Sequence, residues 1–143
     1  MRIGDVLHVK GDEVVTVSPE TTVRDLVAVL AERNIGAVVV TSDGSTVDGI
    51  VSERDVVRRL VDGPAVLDAS VADIMTRQVH SCEPTEAVTT LMQLMTEHRV
   101  RHVPVVVEGR LAGIISIGDV VKSRIGELEF ERDQLSNYVA GAQ

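Results

Sequence analysis

The chain has one cysteine, Cys82, no tryptophan, and a single phenylalanine and tyrosine, Phe130 and Tyr138, in 143 residues. One cysteine rules out an intrachain disulfide framework and points to a reducing compartment. Two aromatic side chains provide no platform for stacking bases, and 14 Lys and Arg against 22 Asp and Glu leave a net charge of −8. A phosphate backbone would be repelled, so nucleic acid is not an expected partner. No run of about 18 apolar residues occurs, and Met1–Leu7 lacks the apolar stretch of a signal peptide. A soluble, cytoplasmic protein with no membrane partner is expected. Also missing are a glycine-rich phosphate loop, a nucleophile elbow and paired catalytic carboxylates, so no enzyme signature is present.

What is present is a sequence stated twice. Thr16-Val-Ser-Pro19 through Gly-Ile-Val-Ser-Glu-Arg-Asp55 returns as Ser81-Cys-Glu-Pro84 through Gly-Ile-Ile-Ser-Ile-Gly-Asp119. The prolines lie 65 positions apart (84 − 19) and the glycines Gly49 and Gly113 lie 64 apart (113 − 49), so one residue is lost in a turn between them. Val23, Leu26, Val27 and Leu30 answer to Val88, Leu91, Met92 and Met95, both at helical spacing. Two copies are too few for a solenoid, and two small units packed face to face fit better. A hydrophobic content of 44% and this length suffice for a buried core without staples.

Val14 to Val17 predicts a strand stopped at Ser18-Pro19, followed by a helix from about Thr22 to Arg33 with Thr21 or Thr22 as N-cap and Asn34-Ile-Gly36 as its close. Ala37–Thr41 and Val47–Val51 predict a hairpin around Ser42–Ser45, and Ser52 opens a second helix through about Leu60. The order is strand, helix, strand, strand, helix, an α/β unit. Repeat two follows it from Val79 to Ile125 with Glu108-Gly109 as its turn, after a linker at Asp62–Ala65. The runs Val38–Val40 and Val105–Val107 lack polar alternation and predict strands covered on both faces. Pro104 belongs at a strand start. From Ser123 onward, Ile125, Leu128, Leu135 and Tyr138 lie among acidic residues at helical spacing, which fits either packing on its own module or contact with another subunit.

Each closing motif puts a serine and an aspartate three apart at a strand-to-helix junction: Ser52 with Asp55, Ser116 with Asp119. Such pairs cap helices, satisfying free amides of the first turn. The same geometry serves a ligand, because helix N-terminal amides and a hydroxyl hold phosphate while a carboxylate accepts from a ribose diol. Both readings stay open on these residues alone. His80 and Cys82 are the only hint of a metal site, and no further Cys or paired His completes a tetrahedral set. Met75, Met92 and Met95 read as core or cleft lining.

Taken together, the doubled unit, the two Gly-h-h-Ser-x-x-Asp closings, Val71-Ala-Asp-Ile-Met-Thr76 and Arg101-His-Val-Pro104 resemble a CBS-domain pair, or Bateman module, over nearly all of residues 1–125. The resemblance implies two CBS repeats related by pseudo-twofold symmetry: residues 1–62, a linker at 63–70, residues 71–125, then a C-terminal helix over 126–143. Members of that family bind adenosyl ligands such as AMP, ADP, ATP, NAD(H) or S-adenosylmethionine in clefts between the repeats and act as regulatory sensors, with no cofactor required. By that resemblance Asp55 and Asp119 accept from the ribose diol, with Ser52 and Ser116 beside ribose or phosphate. Asp55 would share a cleft with His80, Val100, Arg101, His102 and Pro104, and Asp119 would face Thr16, Ile35, Gly36, Ala37 and Val39. The first cleft would gather Arg54, Arg101 and His102 where its counterpart offers Gly118, Gly36 and Ala37, so phosphate would favour the first and no cations would attend Asp119.

The resemblance also implies a homodimer in which two repeat pairs form a four-repeat disc, with Val56, Val57, Leu60, Val61, Val120 and Val121 as apolar helix surface for it. A protein regulated by the module would be a further, unidentified partner. The competing reading is a ligand-free scaffold whose Ser-x-x-Asp pairs only cap helices. A metal-binding protein or an enzyme is the remote one.

Overall fold

The computed structural model describes residues 1–141. Repeat one opens with α1 (Ile3–Lys10) and continues as β1 (Thr16–Val17), α2 (Val23–Arg33), β2 (Ala37–Val40), β3 (Gly49–Ser52) and α3 (Glu53–Leu60). A 3₁₀ turn over Pro64–Asp68 leads to α4 (Val71–Ile74), and repeat two continues as α5 (Val88–His98), β4 (His102–Val107), β5 (Arg110–Ser116) and α6 (Ile117–Gly141). The predicted caps are in place: Thr22 Oγ1 accepts from Asp25 N at 3.1 Å, and Asn34 ends α2 in the left-handed region at φ 53°.

In repeat one, β1 runs parallel to β2 and β2 antiparallel to β3, with Thr16 opposite Val39 and Ala37 opposite Ser52. All four residues of β2 are buried, as its unbroken apolar run predicts. Repeat two departs from this plan. Its β4–β5 pair is longer, while the expected strand from Val79 shrinks to one parallel bridge between Cys82 and Val105. Pro104 stands third in β4 and supplies the reason. Its carbonyl accepts from Cys82 N at 3.0 Å, so its missing N–H lies on that same side of the strand, and the ladder toward His80 has no donor there. Val107 at the far end of β4 is 44% exposed, so only the start of that valine run is covered.

The hydrophobic core divides into two clusters, and neither is made by one repeat alone. Ile3 and Val6 of α1 pack with Val88, Leu91, Met95, Val103 and Ile115 of repeat two. Val71 and Ile74 of α4 pack with Val23, Leu26, Val38 and Val51 of repeat one. The two docking segments are themselves repeats, Ile3-Gly-Asp-Val-Leu7 answering to Val71-Ala-Asp-Ile-Met75 at an offset of 68 (71 − 3). Their backbones dock alike. Gly4 N donates to Pro84 O and Ile3 N to Glu86 O, while Ala72 N donates to Pro19 O and Val71 N to Thr21 O.

This exchange accounts for the glycines that open the closing motifs. A Cβ on Gly49 would stand 2.7 Å from Met75 Sδ and 2.9 Å from Thr76 O, and one on Gly113 would stand 2.7 Å from Leu7 Cδ2. Each glycine lets the other repeat's docking segment lie directly on its strand. The C-terminal segment expected from 126 is no separate element, because α6 runs unbroken from the closing motif of repeat two to Gly141.

Candidate functional site

Each Ser-x-x-Asp pair caps its helix. Asp55 Oδ2 accepts from Ser52 N at 2.8 Å and Ser52 Oγ at 3.1 Å, and Ser52 Oγ accepts from Asp55 N at 3.4 Å. Asp119 Oδ2 takes Ser116 N and Ser116 Oγ, both at 2.9 Å. Capping engages a single carboxylate oxygen in each case, so Oδ1 keeps its acceptor capacity. The capping and ligand readings are compatible.

The repeats meet around two clefts. The first, about 270 Å³, has Ser52 and Asp55 on one wall and His80, Val100, Arg101 and His102 on the other. Arg54, Arg58 and Arg99 join Arg101 there, four guanidinium groups against the carboxylates of Glu53 and Asp55. The second, about 360 Å³, holds Ser116 and Asp119 with Ile35, Gly36 and Ala37. Three expected residues stand elsewhere. Val39 is fully buried within β2. Pro104 is buried within β4. Thr16 is exposed and lines a separate shallow groove with Asp12 and Leu111, because its side chain alternates away from the buried face of β1.

The expectation that Asp119 lacks cations is incorrect. Lys10, the last residue of α1, reaches across to donate to Asp119 Oδ2 and to Ile114 O, each at 2.6 Å. Burial pushes the Asp119 carboxyl up, but the Lys10 ammonium and the Ser116 donors outweigh it and hold the group below its ordinary value. The signal that would have revealed Lys10 is the repeat of the docking segments, whose offset of 68 sets Gln78 of the first cleft against Lys10 of the second. With Glu13 nearby, the second cleft carries one cation against two carboxylates. Its charge is the opposite of the first.

His102 lines both clefts. Burial pushes its imidazole below its ordinary value, Lys10 and Arg101 push the same way, and Asp119 and Glu53 oppose them. His80 and Cys82 do not converge on a metal: the His80 ring stacks on His98 with centroids 3.9 Å apart, whereas Cys82 is buried in the core of repeat two. Burial, then the Glu86 charge, push its thiol up to about 12. Among the described residues no group of three or more metal-ligating side chains forms, and no helix is long and apolar enough to cross a membrane.

Two facing repeats with a capped carboxylate in each of two clefts agree with what the chain resembles. The family model for the CBS domain matches residues 3–62 and again 71–126. The chain is 35% identical to the CBS domain-containing protein CBSX3, mitochondrial, of Arabidopsis thaliana, over 97% of this chain and 72% of that one. It superposes on a CBS-domain containing protein of Agrobacterium tumefaciens with a TM-score of 0.84 and 46% identity, covering 87% and 99% of the two chains. A CBS domain protein of Pyrobaculum aerophilum, solved in complex with AMP, aligns with a TM-score of 0.75 and 27% identity over 83% of this chain and 89% of that one. The chain belongs to the CBS-domain family and consists of two tandem CBS repeats.

Proposed function

We propose that the protein is a regulatory module that binds a phosphorylated adenosyl ligand of the AMP, ADP or ATP class in the Asp55 cleft. The observation that carries this reading is the pairing, in one cleft, of a carboxylate with a free oxygen and four arginines. A ribose diol donates to the carboxylate, and guanidinium groups give a phosphate charge-assisted, often bidentate hydrogen bonds. The AMP complex of the Pyrobaculum aerophilum relative supports the ligand class. Asp55, Ser52, Arg54, Arg101 and His102 are the binding residues in this reading, with His80 and Val100 completing the wall. The second cleft, with Ser116, Asp119, Ile35 and Ala37, favours an uncharged adenosyl group.

Two copies assemble in this reading. Val57 of α3 and Val61, which follows that helix, are 63% and 86% exposed, and their counterparts 64 positions on, Val121 and Ile125 of α6, are 50% and 51% exposed. Val56 and Val120, by contrast, are buried within the monomer. Matching apolar faces on both repeats suit a closed two-fold contact.

Titration calorimetry with AMP, ATP, NADH, S-adenosylmethionine and adenosine tests the ligand reading. AMP or ATP binds, and Asp55→Ala weakens binding by about 10- to 150-fold, the loss of charged hydrogen bonds of roughly 1.5–3 kcal/mol, with the fold retained. No binding across the panel, or unchanged affinity in Asp55→Ala, would return the pair to capping and favour the scaffold.

A further inference from the structure

Among the described residues the distal half of α6 packs on nothing: every residue from Leu128 to Gly141 is exposed. An isolated helix of that length is marginal in water, and what stabilises such a helix is packing of an apolar face. Five of its exposed apolar residues fall on one seam, while Phe130 and Tyr138 lie off it. Val121, Ile125, Leu128, Leu135 and Val139 follow one another at steps of four, three, seven and four, with Arg132 filling the seven-residue gap. This is a heptad, with Ile125, Arg132 and Val139 at a and Val121, Leu128 and Leu135 at d.

We infer that α6 forms a parallel two-stranded coiled coil with α6 of a second copy of this chain. β-Branched residues at a with leucine at d favour two parallel strands, and a single charged a position, here Arg132, fixes register and oligomer state at some cost in stability. The flanking charges choose the direction. In a parallel pair Arg124, at g, meets the partner's Glu129 at the following e position, and the symmetric contact repeats it. An antiparallel pair with the same layers would set Glu129 against the partner's Glu129 and Glu131 against the partner's Glu131, which is repulsive. Arg132 in the parallel arrangement lies beside the partner's Glu131, a neutralising contact across the seam. The seam spans about 27 Å from Val121 to Val139, and its first two residues also belong to the α3–α6 face. One apolar surface therefore runs from the globular body to the helix tip.

This inference rests on the two-copy reading and adds parallel orientation and a specific seam. The test uses the full chain, with sedimentation for mass and mild oxidation for cross-linking. Cys82 is buried, so a single introduced cysteine is the reporter. Leu135→Cys, at d, should convert most of a dimeric protein to a disulfide-linked dimer, whereas Asn137→Cys, on the outer side of the same turn, should stay largely uncross-linked. Adding Leu128→Glu should abolish the Leu135→Cys cross-link, with circular dichroism confirming that the body stays folded. A dimer in which Leu135→Cys does not cross-link, or cross-links no better than Asn137→Cys, overturns the coiled coil while sparing the two-copy reading. An antiparallel pair gives that same negative result, because identical positions near the tips then lie far apart. A monomeric wild type overturns both.

Discussion

Replacing Lys10 by methionine should open the second cleft to a ribose diol. The ammonium is the third donor on Asp119 Oδ2, after Ser116 N and Oγ, and a cis-diol that spans both carboxylate oxygens must displace it. Methionine keeps much of the stem's packing and removes the charge. A hydrogen bond between charged groups contributes roughly 1.5–3 kcal/mol, and the 28% and 23% exposure of the two side chains reduces this by solvent screening to about 1–2 kcal/mol. Adenosine affinity at the second cleft should therefore rise about 5- to 30-fold. Calorimetry with adenosine, in an Asp55→Ala background that silences the first cleft, isolates the effect, since adenosine has no phosphate for a cation to attract. The same substitution should lower stability, because Asp119 loses the partner that holds its carboxyl below the ordinary 3.8. A depressed carboxyl stabilises the fold above 3.8, and that contribution is lost as pH falls through the folded value. Wild type and Lys10→Met should thus differ in stability at neutral pH and converge in acid. Unchanged or weaker adenosine binding in Lys10→Met would refute the reasoning and make Lys10 part of the ligand site instead of its occupant.

The other expectations follow from the same geometry. Arg101→Ala should weaken AMP far more than adenosine, and equal losses by calorimetry would remove the phosphate argument from the first cleft. His102 should titrate below 6.5 by NMR, with AMP moving it upward and adenosine leaving it unchanged; its neutral form is favoured by folding, so its contribution to stability is full above 6.5 and declines as pH falls through the folded value. Gly49→Ala should destabilise by about 1–3 kcal/mol, because the new methyl meets the backbone oxygen of Thr76, whereas Gly113→Ala meets only the flexible end of Leu7 and should cost less; thermal melts rank the two.

The repeat, the strand and helix order and the capped aspartates were legible because each is local: a periodicity, a cap or a turn is written in neighbouring residues. Ser52–Asp55 and Ser116–Asp119 form as their spacing predicts. What escaped is long-range. Nothing near Met1 says that Ile3 and Val6 complete the core of repeat two, and only the match of Ile3–Leu7 to Val71–Met75 carries that information. Lys10 was missed for the same reason, since 109 residues separate it from Asp119. The short first strand of repeat two was hidden in Pro104, whose missing donor matters only once the side of the strand it faces is known.

The two clefts share a frame and differ in the mobility their cations imply. In the first, Arg54 and Arg58 stand on α3 and Arg101 at the head of β4, on elements anchored by the buried Val56 and Val103. In the second, the only lining cation among the described residues ends α1, whose first turns supply Ile3 and Val6 to the core of repeat two. On the proposed reading, a ligand entering the first cleft meets arginines carried on anchored elements. On the same reading, one entering the second would first detach Lys10 from Asp119 and Ile114 O, and so would act on a helix that is part of the core.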